Sequence, residues 1–238
     1  HGTPSFHAQS FECQLRYLQS TFVCSTPEHL QQAFSKKWNY SKPGLVLSFD
    51  DGLKNNISVA VPLLEKYGFK AIFFVPPGFI DEPTKTTAAY CRRNMINGTE
   101  SFTREDLLYL ARNHFVGSHS YDHIRLSNEL TRAQVRREVV DSKSRLEELT
   151  GKAIRYFGWV GGEEWSYGRL AASEIKSSGY DYSFVGNSFP VTESTDPLWI
   201  HRTNLEASWS LSMVRFQLCG IPDIWHWPSR RRIRAGLL

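Results

Sequence analysis

Apolar residues recur along this chain in two alternating textures, short unbroken runs and longer stretches with helical spacing. Leu45 to Phe49 (LVLSF), Ala71 to Val75 (AIFFV), His114 to Gly117, Ile154 to Gly158, Tyr182 to Val185 and Leu198 to His201 are the short runs, and each predicts a buried strand. The helical segments alternate with them. They are Phe11 to Thr21, a stretch ending near Phe34 that Ser25 and Glu28 enter as a capping box, Ile57 to Tyr67 closed by Gly68, and Arg104 to Arg112. A long charged helix entered through Thr131 and Gln134 and ending at Gly151, then Tyr167 to Ser178 and Trp209 to Leu218, complete the set. Buried strands alternating with amphipathic helices predict parallel βα units. The expected fold is α/β, a distorted (β/α) barrel of about seven strands, with an open doubly wound sheet as the alternative. Either way the chemistry belongs at the C-terminal ends of the strands. The polar stretch from Pro76 to Phe102 is long enough to predict a functional rim or lid.

Composition adds bounds. A chain of 238 residues, 41% hydrophobic, can bury the core of one domain, and residues 1–238 are read as one. The net charge of +4 is mild and much of it sits at Arg230, Arg231, Arg232 and Arg234, which read as a solvated tail. Nucleic acid is therefore not an expected partner. No run approaches the roughly 18 to 20 apolar residues of a membrane span, and the start lacks the pattern of a signal peptide. The chain reads as soluble. Because it begins at His1, an upstream signal or anchor can have been removed, and the compartment is left open between bacterial cytoplasm and cell envelope. Cys13, Cys24, Cys91 and Cys219 form no CxxC pair and read as free, structural thiols. The oligomeric state stays open.

The candidate chemistry falls at two predicted strand ends. LVLSF runs into Asp50, Asp51 and Gly52, and adjacent residues at a strand end point different ways, so one carboxylate can hold a metal while the other faces a substrate. The competing reading is a polar turn in which an Asp caps the next helix. Further on, GSHSYDHIRLS carries His119 and His123, whose H-x3-H spacing lets two imidazoles converge on one ion. Asp51, His119 and His123 then suit a facial triad of two imidazoles and a carboxylate, which leaves positions open for water and substrate.

These residues carry a resemblance. SFDDG is similar to the T/S-F-D-D-G motif of the polysaccharide deacetylase family (the NodB homology domain, carbohydrate esterase family 4), and HSYDH to its H-S/T-x-x-H motif. SFECQLRYL looks like the helix that precedes the catalytic strand in that family, LLEKYGFKAIFFV like the segment after it, and HGTP like the end of a truncated first strand. The likeness covers roughly residues 1 to 205. It implies Asp50 as general base and Asp51, His119 and His123 as ligands of a divalent metal, usually zinc. The family's third motif falls on Arg155 to Gly162, with Val160 in place of a proline, Gly161 in place of a tyrosine and no arginine at 158. A backbone N–H at Gly161 can still serve an oxyanion, and Arg202 resembles an arginine of the exopolysaccharide branch that would stand in for the missing one. For the general acid, the family's late L-x-H motif is not found, which leaves His226, with His201 behind it. Trp159 and Trp165, with Trp225 and Trp227, are candidates to stack on sugar rings. The function so implied is hydrolytic removal of N-acetyl groups from amino sugars of a polysaccharide or glycoconjugate. The alternatives are a deformylase or amidohydrolase acting on another non-peptide amide, and a catalytically inactive glycan-binding module.

Overall fold

The computed structural model describes residues 4–81 and 100–237, with side-chain surroundings for 7–81 and 100–235. Helix α1 (Pro4–Thr21) leads to a short strand β1 (Val23–Cys24), then α2 (Pro27–Phe34). The run LVLSF serves two sheets. Its first residue closes β2 (Gly44–Leu45), which pairs in parallel with β1, and its last three form β3 (Leu47–Phe49). A six-stranded sheet starts at β3 and continues through β4 (Ala71–Val75), β5 (Phe115–Ser118), β6 (Tyr156–Gly158), β7 (Tyr182–Val185) and β8 (Ile200–His201). Every neighbouring pair is parallel and the strands lie in chain order. A doubly wound sheet would reverse that order at a switch point, so the alternative topology is excluded. The distorted barrel is present as a curled half-barrel sheet, with six strands among the described residues and β1 and β2 forming a separate pair.

Alternation along the strands builds two cores. On β4, Ala71, Phe73 and Val75 face the helices, in one cluster with Leu64 of α3 (Val61–Lys66), Leu107 and Leu110 of α5 (Arg104–Asn113), which follows the short α4 (Gly78–Asp81) in the chain, and Ile175 of α8 (Arg169–Ser177). Ile72 and Phe74 face the concave side with Tyr156, Phe184 and Ile200, where Leu30 of α2 covers them. Two glycines make room there: a Cβ on Gly117 would lie 2.6 Å from the Phe74 ring, and one on Gly158 2.7 Å from it. Phe74 thus spreads across two neighbouring strands that carry no side chain beneath it.

Several local expectations shift. The capping box at α2 is displaced by one residue: Thr26 is the N-cap, its N–H donating to His29 Nδ1 at 3.0 Å, while Ser25 Oγ donates to the Val23 carbonyl. Both long helices contain a π-helical turn, Asn56–Ala60 ahead of α3, and Arg137–Asp141 between α6 (Arg132–Arg136) and α7 (Ser142–Thr150). The Thr131–Gln134 box and the left-handed Gly151 end are present as expected, with Gln134 N–H donating to Thr131 Oγ1 and Gly151 at φ 67°.

The arginine tail is not solvated coil. After α9 (Leu211–Leu218) and α10 (Ile221–Trp225), the chain forms α11 (Trp227–Leu237), which docks through buried Ile233. Arg230 donates to the carbonyls of Asn187, Ser188 and Asp223, and Arg232 pairs with Glu164. Cys13, Cys24 and Cys219 are free, whereas Cys91, His1, Gly2 and Thr3 of the HGTP start and most of the long polar stretch lie outside the described residues, and Pro4 opens α1. No described helix is long and apolar enough to cross a membrane.

Candidate active site

The C-terminal ends of β3, β5 and β8 converge on one group of side chains. Asp50 and Asp51 follow β3, and the backbone turns at once through left-handed conformations at Asp51 (φ 74°) and Gly52 (φ 63°). Asn56, at the start of the π turn, donates from Nδ2 to the Asp50 carbonyl at 3.4 Å. Past β5, the HSYDH loop places two more non-glycine residues in that region, Ser120 (φ 59°) and His123 (φ 55°). Such conformations cost on the order of 1 kcal/mol each or more and persist where the surroundings enforce them.

The turns bring Asp51, His119 and His123 together, with one ligand atom from each lying within 4.8 Å of the others. Asp51 Oδ1 is 2.9 Å from His123 Nε2 and 3.5 Å from His119 Nε2. His119 Nδ1 is tied to the Gly158 carbonyl at 2.7 Å, so Nδ1 donates there and Nε2 is the nitrogen that faces Asp51. Asp51 and His119 are buried, at 4% and 2% exposure, and His123 is half-buried. Burial alone would push the Asp51 carboxyl up, but hydrogen bonds from both histidines hold it well below the usual range. Burial pushes His123 down, further than Asp51 pulls it up.

Asp50 is turned elsewhere. Arg202, just past β8, grips both its oxygens, with Nη1 at 2.6 Å from Oδ1 and Nη2 at 2.9 Å from Oδ2, and Nη1 also lies 3.2 Å from Ser48 Oγ. Burial raises the Asp50 carboxyl, but the charges of Arg202 and His119 outweigh it and the net shift is downward. Asp50 Oδ2 stays 3.8 Å from His119 Nε2, beside the three-residue cluster. Beneath them lies Phe74, with the Arg202 guanidinium 5.0 Å over its ring centre.

The remaining sequence candidates disperse. Gly161 sits in the loop after β6 at φ 85°, where a Cβ would lie 2.6 Å from Glu163 Oε2 and 2.9 Å from Arg125 Nε, so the glycine is required by the backbone. Arg125 and Glu163 pair bidentately and join this loop to the segment that follows HSYDH. Trp165 is 60% exposed beside Arg125, with its ring open to solvent. Trp159 is corrected: it is 1% exposed, its indole N–H donates to Ser183 Oγ at 2.7 Å, and it packs on Tyr167 and Trp199, so it has no face to offer a sugar. Alternation along β8 puts Ile200 and Arg202 on the concave side and His201 on the other, where its Nδ1 meets the Gly186 carbonyl at 2.9 Å. His226 lies close enough for its charge to depress His201, after burial as the larger cause. Trp225 and Trp227 are exposed on α10 and α11.

With this geometry in hand, comparison with known proteins decides the family. The polysaccharide deacetylase family profile matches residues 37–183. The chain belongs to the polysaccharide deacetylase family. The YxkH protein of Bacillus subtilis (strain 168), described as a candidate polysaccharide deacetylase, is 26% identical over 142 residues, which are 59% of this chain and 45% of that protein. The alignment thus takes in less than half of that relative's length. Among solved structures, the Streptococcus pyogenes deacetylase PplD in complex with acetate superposes with a TM-score of 0.72 at 18% identity, covering 89% of this chain and 86% of that one. A de-N-acetylase of Aggregatibacter actinomycetemcomitans gives a TM-score of 0.67 at 16% identity, covering 86% of this chain and 87% of that one. These structures share the fold of this chain, including its curled parallel sheet.

Proposed function

We propose that this polysaccharide deacetylase is a metal-dependent hydrolase that removes N-acetyl groups from amino sugars of a polysaccharide or glycoconjugate. The observation that carries the reading is the division of the carboxylate pair, with Asp51 drawn into the two-histidine cluster while Arg202 holds Asp50 beside it. A buried carboxylate oxygen and two imidazole nitrogens, one with its tautomer fixed by Gly158, fit a divalent cation of the zinc type. When bound, such an ion polarises an acyl carbonyl and lowers the pKa of a coordinated water. Asp50, ionised and oriented by Arg202, takes the proton of the attacking water. The backbone N–H of Gly161 receives the oxyanion that develops on the acyl oxygen. The departing amine needs a proton. His201 is turned to the other side of β8, and His226, half-buried at the turn into α11, neighbours His201, so neither is assigned that role. Trp165 supplies an exposed ring for a sugar face. The names of the structural relatives, a deacetylase with acetate and a de-N-acetylase, support an acetyl group as the one removed.

The test is acetate release from N-acetylhexosamine oligomers and polymers together with metal content. Asp50→Asn is expected to abolish turnover while metal stays bound, and Asp51→Asn to lower metal affinity itself. Equal metal loss in both variants, or full turnover in Asp50→Asn, contradicts the assignment. Formate release without acetate would move the reading to a deformylase.

A further inference from the structure

The HSYDH loop holds two non-glycine residues in left-handed backbone, Ser120 and His123. The adjoining helix is bonded to the backbone between them. Glu138 lies in the π-helical turn Arg137–Asp141 and is 2% exposed, an unusual place for a carboxylate. Its Oε2 accepts from the backbone N–H of Tyr121 at 2.8 Å and of Asp122 at 3.0 Å, the two residues between Ser120 and His123. Four residues on, Ser142 Oγ meets Ser118 Oγ at 2.7 Å and donates to the Ser120 carbonyl at 3.1 Å. One helical face thus reads the backbone from the end of β5 to Asp122. The π turn widens the helix where Glu138 must reach the loop, a common use of such turns at functional sites.

We propose that Glu138, seconded by Ser142, is the positioning residue that converges His119 and His123, so that the metal affinity of the site depends on a carboxylate that touches neither metal nor substrate. This rests on the metal-site reading above. A second grip on the loop exists on the surface, where Arg137 Nε donates to Asp122 Oδ2 at 3.0 Å. That exposed pair is screened by water and contributes little. The Glu138 contacts differ, because its carboxylate is buried and removing it takes the protein acceptor from two backbone amides at once.

The experiment measures zinc affinity by chelator competition, thermal midpoints of the zinc-free chain, and amide hydrogen exchange at Tyr121 and Asp122. Wild type is compared with Glu138→Ala, Glu138→Gln and Ser142→Ala. Glu138→Ala is expected to weaken zinc binding about 10- to 100-fold, the size found for groups that orient metal ligands. It should also speed exchange at both amides. Glu138→Gln keeps an acceptor oxygen and should recover most of the affinity, and it supplies the comparison if the alanine variant does not fold. Wild-type zinc affinity in both Glu138→Ala and Ser142→Ala, even with lowered midpoints, overturns the proposal and leaves Glu138 a purely structural residue. Should the wild-type chain itself bind no zinc, the metal reading of the site falls and the proposed role falls with it. Exchange in Glu138→Ala would then show only whether this carboxylate holds the loop.

Discussion

Phe74 decides more about this site than its chemistry suggests. It floors the Asp50–Arg202 pair and abuts His119, with ring centres 6.3 Å apart, and it fits only because Gly117 and Gly158 lack side chains. Gly158→Ala forces a Cβ to 2.7 Å from that ring and should cost about 1–3 kcal/mol by overpacking. Because the ring carries Arg202, the same variant should lose activity out of proportion to its stability. Denaturant midpoints and kcat/KM measured together test this, and a stability loss with unchanged kcat/KM contradicts it. Arg202 itself acts on the protonation of Asp50, the proposed base. Its charge helps hold the Asp50 carboxyl below its ordinary value against burial, so Asp50 stays ionised into acid. In Arg202→Met the upward push of burial remains, and the acid limb of the kcat/KM–pH profile should move to higher pH. An unmoved limb would show that Arg202 does not act on the base.

At the scale of elements, the Arg125–Glu163 pair joins the two loops that flank the cluster. Arg125 first, then Ser166 and the Gly162 N–H, hold the Glu163 carboxyl at about 2 against burial. The folded value lies below the ordinary 4.5, so the stability this group supplies is full above about 4.5 and fades as pH falls towards 2. Urea midpoints of wild type and Glu163→Gln should therefore differ at pH 6 and converge near pH 2, and a gap that persists at low pH rules out the charge as its source. Elements of this kind were unequally legible in the sequence. Strand β4 could be read off because its residues are apolar without interruption and are buried on both faces. The carboxylate pair and the H-x3-H spacing were equally plain. The π turns left no mark, since the spacing on either side of them still reads as an ordinary helix. Glu138 was hidden among the charges of its helix, although Val135, Glu138, Ser142, Leu146 and Leu149 follow one another at helical spacing and place the acid on the buried stripe. Trp159 misled for the opposite reason: an aromatic near a strand end looks the same whether it packs inward or outward.

The whole molecule is closed by its C-terminal segment, where charge pattern alone suggested a free tail. Docking rests on Ile233, 4% exposed, and on Arg230 with its three backbone carbonyls, while the Arg232–Glu164 pair is half in water. Ile233→Ala should cost about 2–5 kcal/mol and Arg232→Ala less than about 1 kcal/mol, an order that thermal or urea unfolding can check. Equal costs would mean that surface charge, not burial, anchors the helix.

The grip of Arg202 on Asp50 joins residues 152 positions apart, across the two outer strands of the sheet. Such a contact forms late, after the intervening chain has been made and ordered. A nascent or clipped chain that stops short of β8 would carry the complete Asp51, His119 and His123 cluster and yet lack an oriented base. Under the proposed function, the fold would thereby make hydrolytic competence a report on its own completion, with ion binding possible before turnover.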